Sequence, residues 1–406
     1  MIPDIDSQKI DAVLSRGVSE VLPDKQGLAQ LMREKKIRLY LGIDPTGAFL
    51  HLGHAVGLRK LQQFAELGHQ VILLVGNGTV KIGDPTGRDE SRPMLDDATI
   101  EKNFQAWKKQ ASKILDFAKI EIRYNGDWLD KLNYAAIVKL MAKTTVQQLI
   151  ERDMFQQRLA KGLPIFGHEI MYPLLQGYDS VAMDVDLEIG GTDQTFNMLM
   201  GRHLQEQYNG HEKWVLSTPL IEGTDGRKMS KSYNNYVALT DPAAQMYGKL
   251  MSIKDDLISK YFEVLTDLPL TEIAKMKAEM AAGTNPMIYK KQLASTITTM
   301  LHDQQQAYEA ALFFTKTVQQ NEMPGEEFFV PLPIQSLDKA NGQTIKTLSP
   351  QAPFSSSQLT RFLQQGAIKI LPSGQKVLTR ADFFALAPLT KIQIGKRNWY
   401  KIKIIT

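Results

Sequence analysis

The sequence has no cysteine, which excludes a disulfide framework, a cysteine nucleophile and a thiolate metal site. It also lacks long apolar runs: the longest, such as residues 71–75, have the length of a strand, whereas a membrane-crossing helix needs roughly 20 apolar residues. Residues 1–27 lack the basic start and apolar centre of a signal peptide. These absences predict a cytoplasmic protein with no membrane segment.

Acidic residues are scarce in the C-terminal part of the chain. Residues 351–406 hold nine Lys or Arg and a single acidic residue, Asp382, whereas the rest of the chain holds 39 Lys or Arg against 43 acidic residues. A basic segment on a slightly acidic body favours a polyanionic partner for that segment. The alternative is a solvated, solubilising tail, but apolar alternation and aromatic residues in this segment favour a folded domain.

The order of predicted elements indicates a doubly wound α/β domain. Residues 37–43 alternate as a strand, residues 54–67 have apolar positions at helical spacing, and residues 71–75 form an apolar strand of the kind that parallel sheets bury. Strand, helix and strand in this order form a βαβ unit. Residues 185–189 and 215–220 are predicted to be later strands of the same sheet.

Two histidines stand at a predicted helix start. His51 and His54 are three residues apart in His-Leu-Gly-His, so in a first helical turn both rings face one way. A helix N-terminus attracts phosphate, and two imidazoles can add hydrogen bonds to a triphosphate. Gly53 leaves room for a flat ring such as adenine, and Thr46 in the preceding turn adds a hydroxyl donor. Alone, the pattern also fits an ordinary helix start that carries histidines.

Two lysines stand in a loop flanked by glycines. Lys228 and Lys231 lie three residues apart in Lys-Met-Ser-Lys-Ser, shortly after Gly223 and Gly226. Such a pair suits a clamp on a leaving pyrophosphate, because negative charge builds on the β- and γ-phosphates when the α-phosphate is attacked. For this pentamer alone, a solvated lysine-rich loop is the alternative.

In this order and in this βα context, the two motifs resemble the signature of the class I aminoacyl-tRNA synthetases. Four further stretches are similar to those of the bacterial tyrosyl-tRNA synthetases: Tyr-Leu-Gly-Ile-Asp-Pro-Thr at 40–46, Ile-Gly-Asp-Pro-Thr-Gly-Arg at 82–88, Tyr-Pro-Leu-Leu-Gln-Gly-Tyr-Asp at 172–179 and Gly-Gly-Thr-Asp-Gln at 190–194. The resemblance runs through nearly the whole chain. It implies activation of L-tyrosine with ATP, followed by transfer of the tyrosyl group to tRNA(Tyr).

The resemblance also implies a tyrosine site. Tyr172, Gln176 and Asp179 are spaced by four and three residues, so they share one helical face. Tyr40 and Asp179 would read the substrate hydroxyl. Asp84, Tyr172 and Gln176 would hold the ammonium group, with Asp44 nearby, and Gln194 would polarise the region of the substrate carboxylate. The alternative for the helical face alone is a capped, partly exposed helix. The implied tyrosine-binding residues are Tyr40, Asp44, Asp84, Tyr172, Gln176, Asp179 and Gln194.

For ATP, the resemblance implies that Asp193 accepts a hydrogen bond from a ribose hydroxyl. Arg88 and Arg92 match positions that help to bind pyrophosphate in some relatives, although surface arginines are the alternative. The catalytic positions are His51, His54, Thr46, Lys228 and Lys231, and the adenylate contacts are Gly42, Gly53, Gly191, Asp193, Lys231, Arg88 and Arg92. Mg²⁺ would travel with ATP, and no metal-ligand cluster is visible, so we expect no protein-bound metal or tightly bound cofactor.

Three positions depart from the pattern of some relatives. Leu41 stands where a smaller residue occurs, Glu188 where glutamine occurs, and Thr195 where tryptophan occurs. These departures indicate a distinct branch and leave the detailed pocket geometry open.

The expected architecture is α/β, with a Rossmann-like, doubly wound parallel-sheet catalytic domain, then an all-α domain and a small α+β RNA-binding domain. The predicted boundaries are a catalytic domain at 1–240, with a helical insertion at about 91–165 and a lysine loop at 223–235, a helical anticodon-arm domain at 241–323, a linker at 324–353 and a basic RNA-binding domain at 354–406. In the last domain, Trp399 and Tyr400 would either stack on RNA bases or pack in the core. The resemblance implies a homodimer that meets through the insertion.

Three alternative functions are consistent with some of these sequence features. A tryptophanyl-tRNA synthetase shares both motifs, but the pairing of Tyr40 with Asp179 and the basic tail argue against it. A small-metabolite nucleotidylyltransferase shares the histidine motif, but it would need neither the helical region nor the tail. A catalytically inactive RNA-binding paralogue would not need the lysines and histidines to be intact.

Overall fold

The computed structural model describes residues 6–86, 95–231, 233–320, 322–323, 325–338, 344–395 and 398–405. The chain forms two compact units, Met1–Asp241 with Ser252–Leu293, and Pro242–Met251 with Ala294–Thr406. No helix in the described ranges combines the length and the apolarity needed to span a membrane. The helices are α1 Ser7–Val13, α2 Lys25–Glu34, α3 Leu52–Glu66, α4 Asp97–Ala111, α5 Gly126–Leu129, α6 Tyr134–Met141, α7 Val146–Ile150, α8 Asp153–Ala160, α9 Gly167–Met183, α10 Thr195–Asn209, α11 Ala243–Leu250, α12 Ile258–Leu265, α13 Leu270–Ala281, α14 Met287–Leu301, α15 Gln304–Phe314, α16 Ser356–Gln364 and α17 Arg380–Phe384. The strands are β1 Glu20–Leu22, β2 Arg38–Ile43, β3 Gln70–Val75, β4 Ile120–Tyr124, β5 Leu187–Gly191, β6 Trp214–Thr218, β7 Val330–Asp338, β8 Thr344–Leu348, β9 Ile368–Ile370, β10 Lys376–Val377, β11 Lys391–Ile394 and β12 Asn398–Ile405.

The first unit is built on a six-stranded sheet in the order β1-β6-β5-β2-β3-β4. Strands β2 to β6 run parallel, and only β1 is antiparallel to its neighbour. The chain first places β3 and β4 on one side of β2 and then β5 and β6 on the other. The predicted doubly wound sheet is therefore confirmed, and the order reverses between the carboxyl ends of β2 and β5. Open α/β sheets bind ligands in the crevice at such a point.

Local sequence explains the βαβ unit that leads into this crevice. The apolar run of β3 is buried from Val71 to Val75, as expected for a strand covered on both faces. Helix α3 buries Leu58, Leu61 and Phe64 completely at helical spacing. Gly68 follows α3 with a φ of +82°, a left-handed conformation that glycine adopts without strain. The predicted strand, helix and strand are all present.

Strand β4 lies within the stretch that the sequence predicts to be a helical insertion. Residues Ile120–Tyr124 pair in parallel with β3, so the stretch 91–165, which the sequence predicts to be mainly helical, also contributes a strand to the sheet. The sequence Ile-Glu-Ile-Arg-Tyr alternates apolar and polar residues, and Ile120 is buried while Glu121 is exposed. This strand extends the sheet, and helices α5 to α8 follow it before α9.

The second unit contains another six-stranded sheet, in the order β10-β9-β11-β12-β7-β8. The structure differs here from the expected linker at 324–353, because β7 pairs in parallel with β12 and antiparallel with β8. Pro331 and Pro333 suggested a break in the chain. They lie in the half of β7 before its pairing with β8, which begins at Ile334, and a residue without an N–H is tolerated where no strand pairs on that side. Between them, Leu332 is fully buried.

The helical region also differs from the expected single domain at 241–323, because α12 and α13 belong to the first unit and α11 and α15 to the second. In the second unit, Ser355 caps α16 through a reciprocal hydrogen-bond pair with Gln358, as the serine-rich start suggests. Trp399 is buried, with its ring 5.1 Å from that of Phe313. Core packing is therefore the correct alternative for Trp399.

Candidate active site

A cavity of about 870 Å³ opens at the carboxyl edge of the sheet in the first unit. The ends of β2 and β5, the first turn of α3, helix α9 and the lysine loop supply its walls. Arg88 and Arg92 lie outside the described residues. Every other candidate site residue lines this cavity: Tyr40, Gly42, Asp44, Thr46, His51, Gly53, His54, Asp84, Tyr172, Gln176, Asp179, Gly191, Asp193, Gln194, Lys228 and Lys231. Residues distant in sequence thus meet at the point where the strand order reverses.

Asp179 forms the polar end of the cavity. Its carboxylate is 2% exposed and accepts hydrogen bonds from Trp128 Nε1 at 2.8 Å and Asn125 Nδ2 at 3.1 Å. Burial raises the pKa of Asp179 to about 8, and these two donors oppose the shift. Below this pKa the carboxyl group carries a proton and can both donate and accept, so Asp179 can pair with a hydroxyl group in the cavity.

Tyr40 lies beside Asp179 on β2 and is fully buried. Its hydroxyl shares a hydrogen bond of 2.9 Å with Ser180 Oγ on α9. The sequence places the Tyr40 and Asp179 side chains at one substrate oxygen, and both do line the same cavity. Because a hydroxyl can donate and accept at once, the contact with Ser180 leaves Tyr40 able to bind a ligand hydroxyl.

Asp44 directly follows β2 and is held by two hydroxyl groups. Tyr172 donates to its Oδ2 at 2.8 Å, and Thr79 donates to its Oδ1 at 2.7 Å. A side chain at Gly76 would place Cβ 1.9 Å from Asp44 Oδ1, so this position needs glycine for Asp44 to sit where it does. The result is a fixed carboxylate in the wall of the cavity, suited to an ammonium group.

Asp84 and Gln194 meet across the cavity. Gln194 Nε2 donates to Asp84 Oδ2 at 2.9 Å, and the other oxygen of Asp84 accepts from Thr86. Arg152 donates in turn to Thr86 Oγ1 at 2.7 Å. Gln194 was expected near the substrate carboxylate, and its amide is held here by Asp84.

The two histidines cap helix α3. His51 Nδ1 accepts from the backbone N–H of Gly53 at 3.2 Å, and His54 Nδ1 accepts from the N–H of His51 at 3.1 Å. Burial lowers the pKa of His51 to about 2 and that of His54 to about 3, with the nearby lysines adding to the effect. Both rings are therefore neutral at neutral pH, and each must carry its proton on Nε2, because Nδ1 is an acceptor. Two Nε2–H donors are thereby fixed at a helix N-terminus, where anions bind.

The lysine loop is organised by Asn235, which is 2% exposed. The Asn235 side chain accepts from the N–H of Ser230 and donates to the carbonyl oxygens of Arg227 and Lys228. Met229, between the two lysines, is buried, and its N–H donates to the carbonyl of Ile221 at 3.0 Å. The backbone of the loop is thus anchored while the lysine side chains reach the cavity.

The lysine side chains point to different partners. Lys228 Nζ lies 2.6 Å from Asp193 Oδ2, in an ion pair whose lysine side chain is 49% exposed. Lys231 Nζ lies 5.5 Å from the centroid of the Trp107 ring, within the range of a cation–π contact. Trp107 also lies 5.8 Å from the ring of His54. The lysines, the histidines and Trp107 therefore share one end of the cavity, opposite in chemistry to the Asp179 end.

The comparison with known families agrees with this geometry. The sequence model of the family described as tRNA synthetases class I (W and Y) matches residues 32–319, which is well over half of the chain. The chain belongs to this family. Its class I features are the histidine-capped helix and the lysine loop at the two sides of one crevice.

Individual relatives indicate which members of this family the chain resembles in sequence. A tyrosine–tRNA ligase of Thermotoga maritima is 42% identical over 395 residues, covering 96% of each chain. One of Francisella tularensis is 41% identical over 397 residues, covering 97% of this chain and 98% of its own. The predicted membership of the bacterial tyrosyl-tRNA synthetases is confirmed. The solved structure of a C-terminally truncated mitochondrial tyrosyl-tRNA synthetase of Aspergillus nidulans has a TM-score of 0.64 at 21% identity, covering 76% of this chain and 93% of that one, which shows the shared fold.

Several residues at this synthetase site were not found from the sequence. Asn125 and Trp128 hold Asp179, Ser180 holds Tyr40, and Trp107 lies beside His54 and Lys231. Neither tryptophan was among the candidate site residues predicted from the sequence. Asn125 directly follows β4, so recognition of that strand would have placed Asn125 and its neighbours at the carboxyl edge of the sheet.

Proposed function

We propose that the chain activates L-tyrosine with ATP and transfers the tyrosyl group to tRNA(Tyr). The observation that carries this proposal is the division of one cavity into two chemically different ends. Tyr40 and Asp179 lie at one end and suit a phenol, whereas the two neutral histidines and two lysines at the other end suit a triphosphate. Curated relatives named tyrosine–tRNA ligase support the same reaction.

In the proposed first step, a carboxylate oxygen of tyrosine attacks the α-phosphorus of ATP, and the bond to the pyrophosphate oxygen breaks. His51 and His54 would donate from Nε2 to the phosphate oxygens, without a proton transfer, because both rings are already neutral. Lys228 and Lys231 would stabilise the charge that develops on the leaving pyrophosphate. Since positioning and charge stabilisation are sufficient, no side chain acts as a nucleophile.

Substrate binding would change the contacts of Asp193. In the structure its carboxylate pairs with Lys228, whereas the proposed roles require Asp193 on a ribose hydroxyl and Lys228 on pyrophosphate. Binding of ATP would therefore replace the ion pair between Lys228 and Asp193 with one contact from each residue to the nucleotide. Mg²⁺ would enter as part of the MgATP substrate.

In the proposed second step, a terminal ribose hydroxyl of tRNA attacks the carbonyl carbon of tyrosyl-adenylate, and AMP leaves. The exposed basic residues of the second unit support RNA binding. Because Trp399 is buried, its ring would not stack on RNA bases, and the basic side chains would instead bind RNA phosphates. In the described part of residues 351–406, the exposed cations are Arg361, Lys369, Lys376, Arg380 and Lys403. The proposed location is the cytoplasm, where translation takes place.

The proposed homodimer would use the helices that follow β4. Apolar side chains in and beside α6 to α9 are exposed to solvent, the most extreme being Tyr134 at 85%. Exposed apolar groups that cluster on one segment favour a protein partner. The segment carries exposed Tyr134, Val138, Met141, Val146, Leu159, Leu163 and Phe166. Val138→Asp is expected to give a monomer in light scattering, and an unchanged dimer would contradict this contact.

A charging assay tests the proposed function. Purified protein, ATP and bulk bacterial tRNA are incubated with labelled tyrosine or labelled tryptophan, and acid-insoluble label is counted. Label from tyrosine alone is expected. Label from tryptophan would favour the tryptophanyl alternative, and tRNA binding without any charging would favour the inactive paralogue.

A further inference from the structure

A buried ion pair lies behind the tyrosine end of the cavity. Lys213, at the entry to β6, and Glu188, on β5, have side chains that are 0% and 2% exposed, and the Lys213 ammonium contacts Glu188 Oε2 directly. Burial lowers the pKa of Lys213. Both ionisable side chains therefore lack the hydration that would stabilise their charges. Removing one member of such a pair is costly. None of the roles proposed above uses either residue.

The surrounding structure makes room for this lysine. A Cβ at Gly201 on α10 would lie 2.7 Å from Lys213 Nζ and 2.8 Å from Ser180 Oγ. Lys213 Nζ also lies 5.5 Å from the centroid of the Tyr40 ring. The ammonium group is therefore enclosed between α10 and the sheet, next to the residues that line the tyrosine end of the cavity.

The pair is connected to the cavity through Gln176. Gln176 Nε2 lies 3.1 Å from Glu188 Oε1, while Lys213 occupies the other carboxylate oxygen. Oε1 is an acceptor whether the pair is ionic or shares its proton between Lys213 and Oε2, so the NH₂ group of Gln176 must face Glu188. The carbonyl oxygen of the same amide is then left for the cavity that Gln176 lines.

We propose that Glu188 and Lys213 are positioning residues that fix the direction of the Gln176 amide, so that its carbonyl oxygen accepts a hydrogen bond from the ammonium group of the amino-acid substrate. This inference rests on the proposed function, because it concerns the same substrate. Neither residue touches the substrate. Glu188 sets the amide direction, and Lys213 sets which oxygen of Glu188 is available.

The arrangement gives Glu188→Gln an unusual consequence. Lys213 donates to this side chain in the structure, so it would bind the carbonyl oxygen of the new glutamine and turn its NH₂ group toward Gln176. Gln176 would then rotate to accept that donor and would present its own NH₂ group to the cavity. A donor would face the substrate ammonium in place of an acceptor.

The test is the KM for tyrosine in tyrosine-dependent ATP–pyrophosphate exchange. Glu188→Gln is expected to raise that KM by about 10- to 100-fold, as expected for a lost hydrogen bond to a charged group, with the KM for ATP nearly unchanged. Lys213→Met leaves both oxygens of Glu188 able to accept from Gln176, so its effect on the KM for tyrosine is expected to be smaller than that of Glu188→Gln. The double variant is expected to recover most of the KM lost in Glu188→Gln, because the new glutamine can then turn its carbonyl oxygen toward Gln176.

Rescue separates positioning from simple structural damage, which would make the double variant worse than either single variant. An unchanged KM for tyrosine in Glu188→Gln, or no recovery of that KM in the double variant, would overturn the inference. The proposed function would still hold if the wild-type protein catalyses tyrosine-dependent exchange. Absence of exchange in the wild type would instead overturn the proposed function.

A second measurement covers the case in which a variant folds poorly. Calorimetric titration of the folded fraction compares L-tyrosine with 3-(4-hydroxyphenyl)propanoate, which lacks the ammonium group. Glu188→Gln is expected to weaken L-tyrosine by about 10- to 100-fold and the desamino compound by much less. Equal weakening of both ligands would contradict the assigned role.

Discussion

Replacement of Asp179 by asparagine gives a pH-dependent change in stability that can be worked from the structure. Burial raises the pKa of Asp179 from 3.8 to about 8, with Asp44 adding to the shift, while Trp128, Asn125 and Lys213 oppose it. The folded-state pKa is above the unfolded one, so the folded protein binds the extra proton between these values. This contribution to stability is fully present below about pH 4 and is lost as the pH rises to about 8.

The rise in the pKa of Asp179 from 3.8 to about 8 corresponds to a loss of folding stability on the order of 5 kcal/mol over this pH range. The substituted asparagine keeps the shape of the side chain but has no proton to lose. The free energy of unfolding of Asp179→Asn, relative to wild type, is therefore expected to increase with pH between about pH 4 and 8.

The assay is urea unfolding, followed by circular dichroism at several pH values across this range, for wild type and Asp179→Asn. Asp127→Asn is the control, because it removes an exposed carboxylate from the neighbouring helix α5. A difference between Asp179→Asn and wild type that stays constant with pH would refute the reasoning. In exchange assays the same variant is expected to raise the KM for tyrosine by about 10-fold or more.

Three further predictions concern the other end of the cavity and the fold. His51→Ala and His54→Ala are each expected to lower the kcat for exchange by about 100-fold, and the wild-type pH–rate profile should show no inflection near 6.5 from these rings, because their pKa values are about 2 and 3. Lys228→Met is expected to lower kcat by a similar factor, whereas Asp193→Asn should mainly raise the KM for ATP; equal effects on tyrosine and ATP would contradict these roles. Arg16→Met is expected to lower the free energy of unfolding by about 2–4 kcal/mol, measured in urea, because the Arg16 guanidinium donates to four carbonyl oxygens at and after the end of α12.

The sequence was sufficient to predict strands β2, β3, β5 and β6, because the apolar run of β3 and the breaks after β2 and β5 are local patterns. The sequence also placed His51 and His54 at a helix start, and the structure has them at the N-terminal end of α3, at the wall of the cavity. The candidate residues were found because their spacing along α9 and within the lysine loop matches a familiar pattern, and no long-range contact had to be known.

Strand β4 and the strands of the second unit were not predicted for physical reasons. Strand β4 is short and follows a long helix, and its alternation is visible only over Ile120–Tyr124. Pro331 and Pro333 suggested a linker, and only the pairing partner β12 makes β7 a strand. Strand pairing between distant segments cannot be read from local propensity.

The partners of Asp179 show the same limit within the site. Trp128 and Asn125 are 51 and 54 residues away from Asp179 in sequence, and no spacing rule connects them. The pairing of Glu188 with Lys213 spans 25 residues across two parallel strands. The sequence marked Glu188 only as a departure from some relatives, whereas the buried partner gives that departure a physical explanation.

The most direct test of the central claim is amino-acid-dependent ATP–pyrophosphate exchange by the purified protein. Tyrosine, phenylalanine, tryptophan and a sample without amino acid are run in parallel. Exchange with tyrosine alone is expected, because the buried Tyr40 and Asp179 would lose a partner with any ligand that lacks the phenol hydroxyl. Exchange with tryptophan, or no exchange with any of the amino acids by the folded protein, would contradict the account.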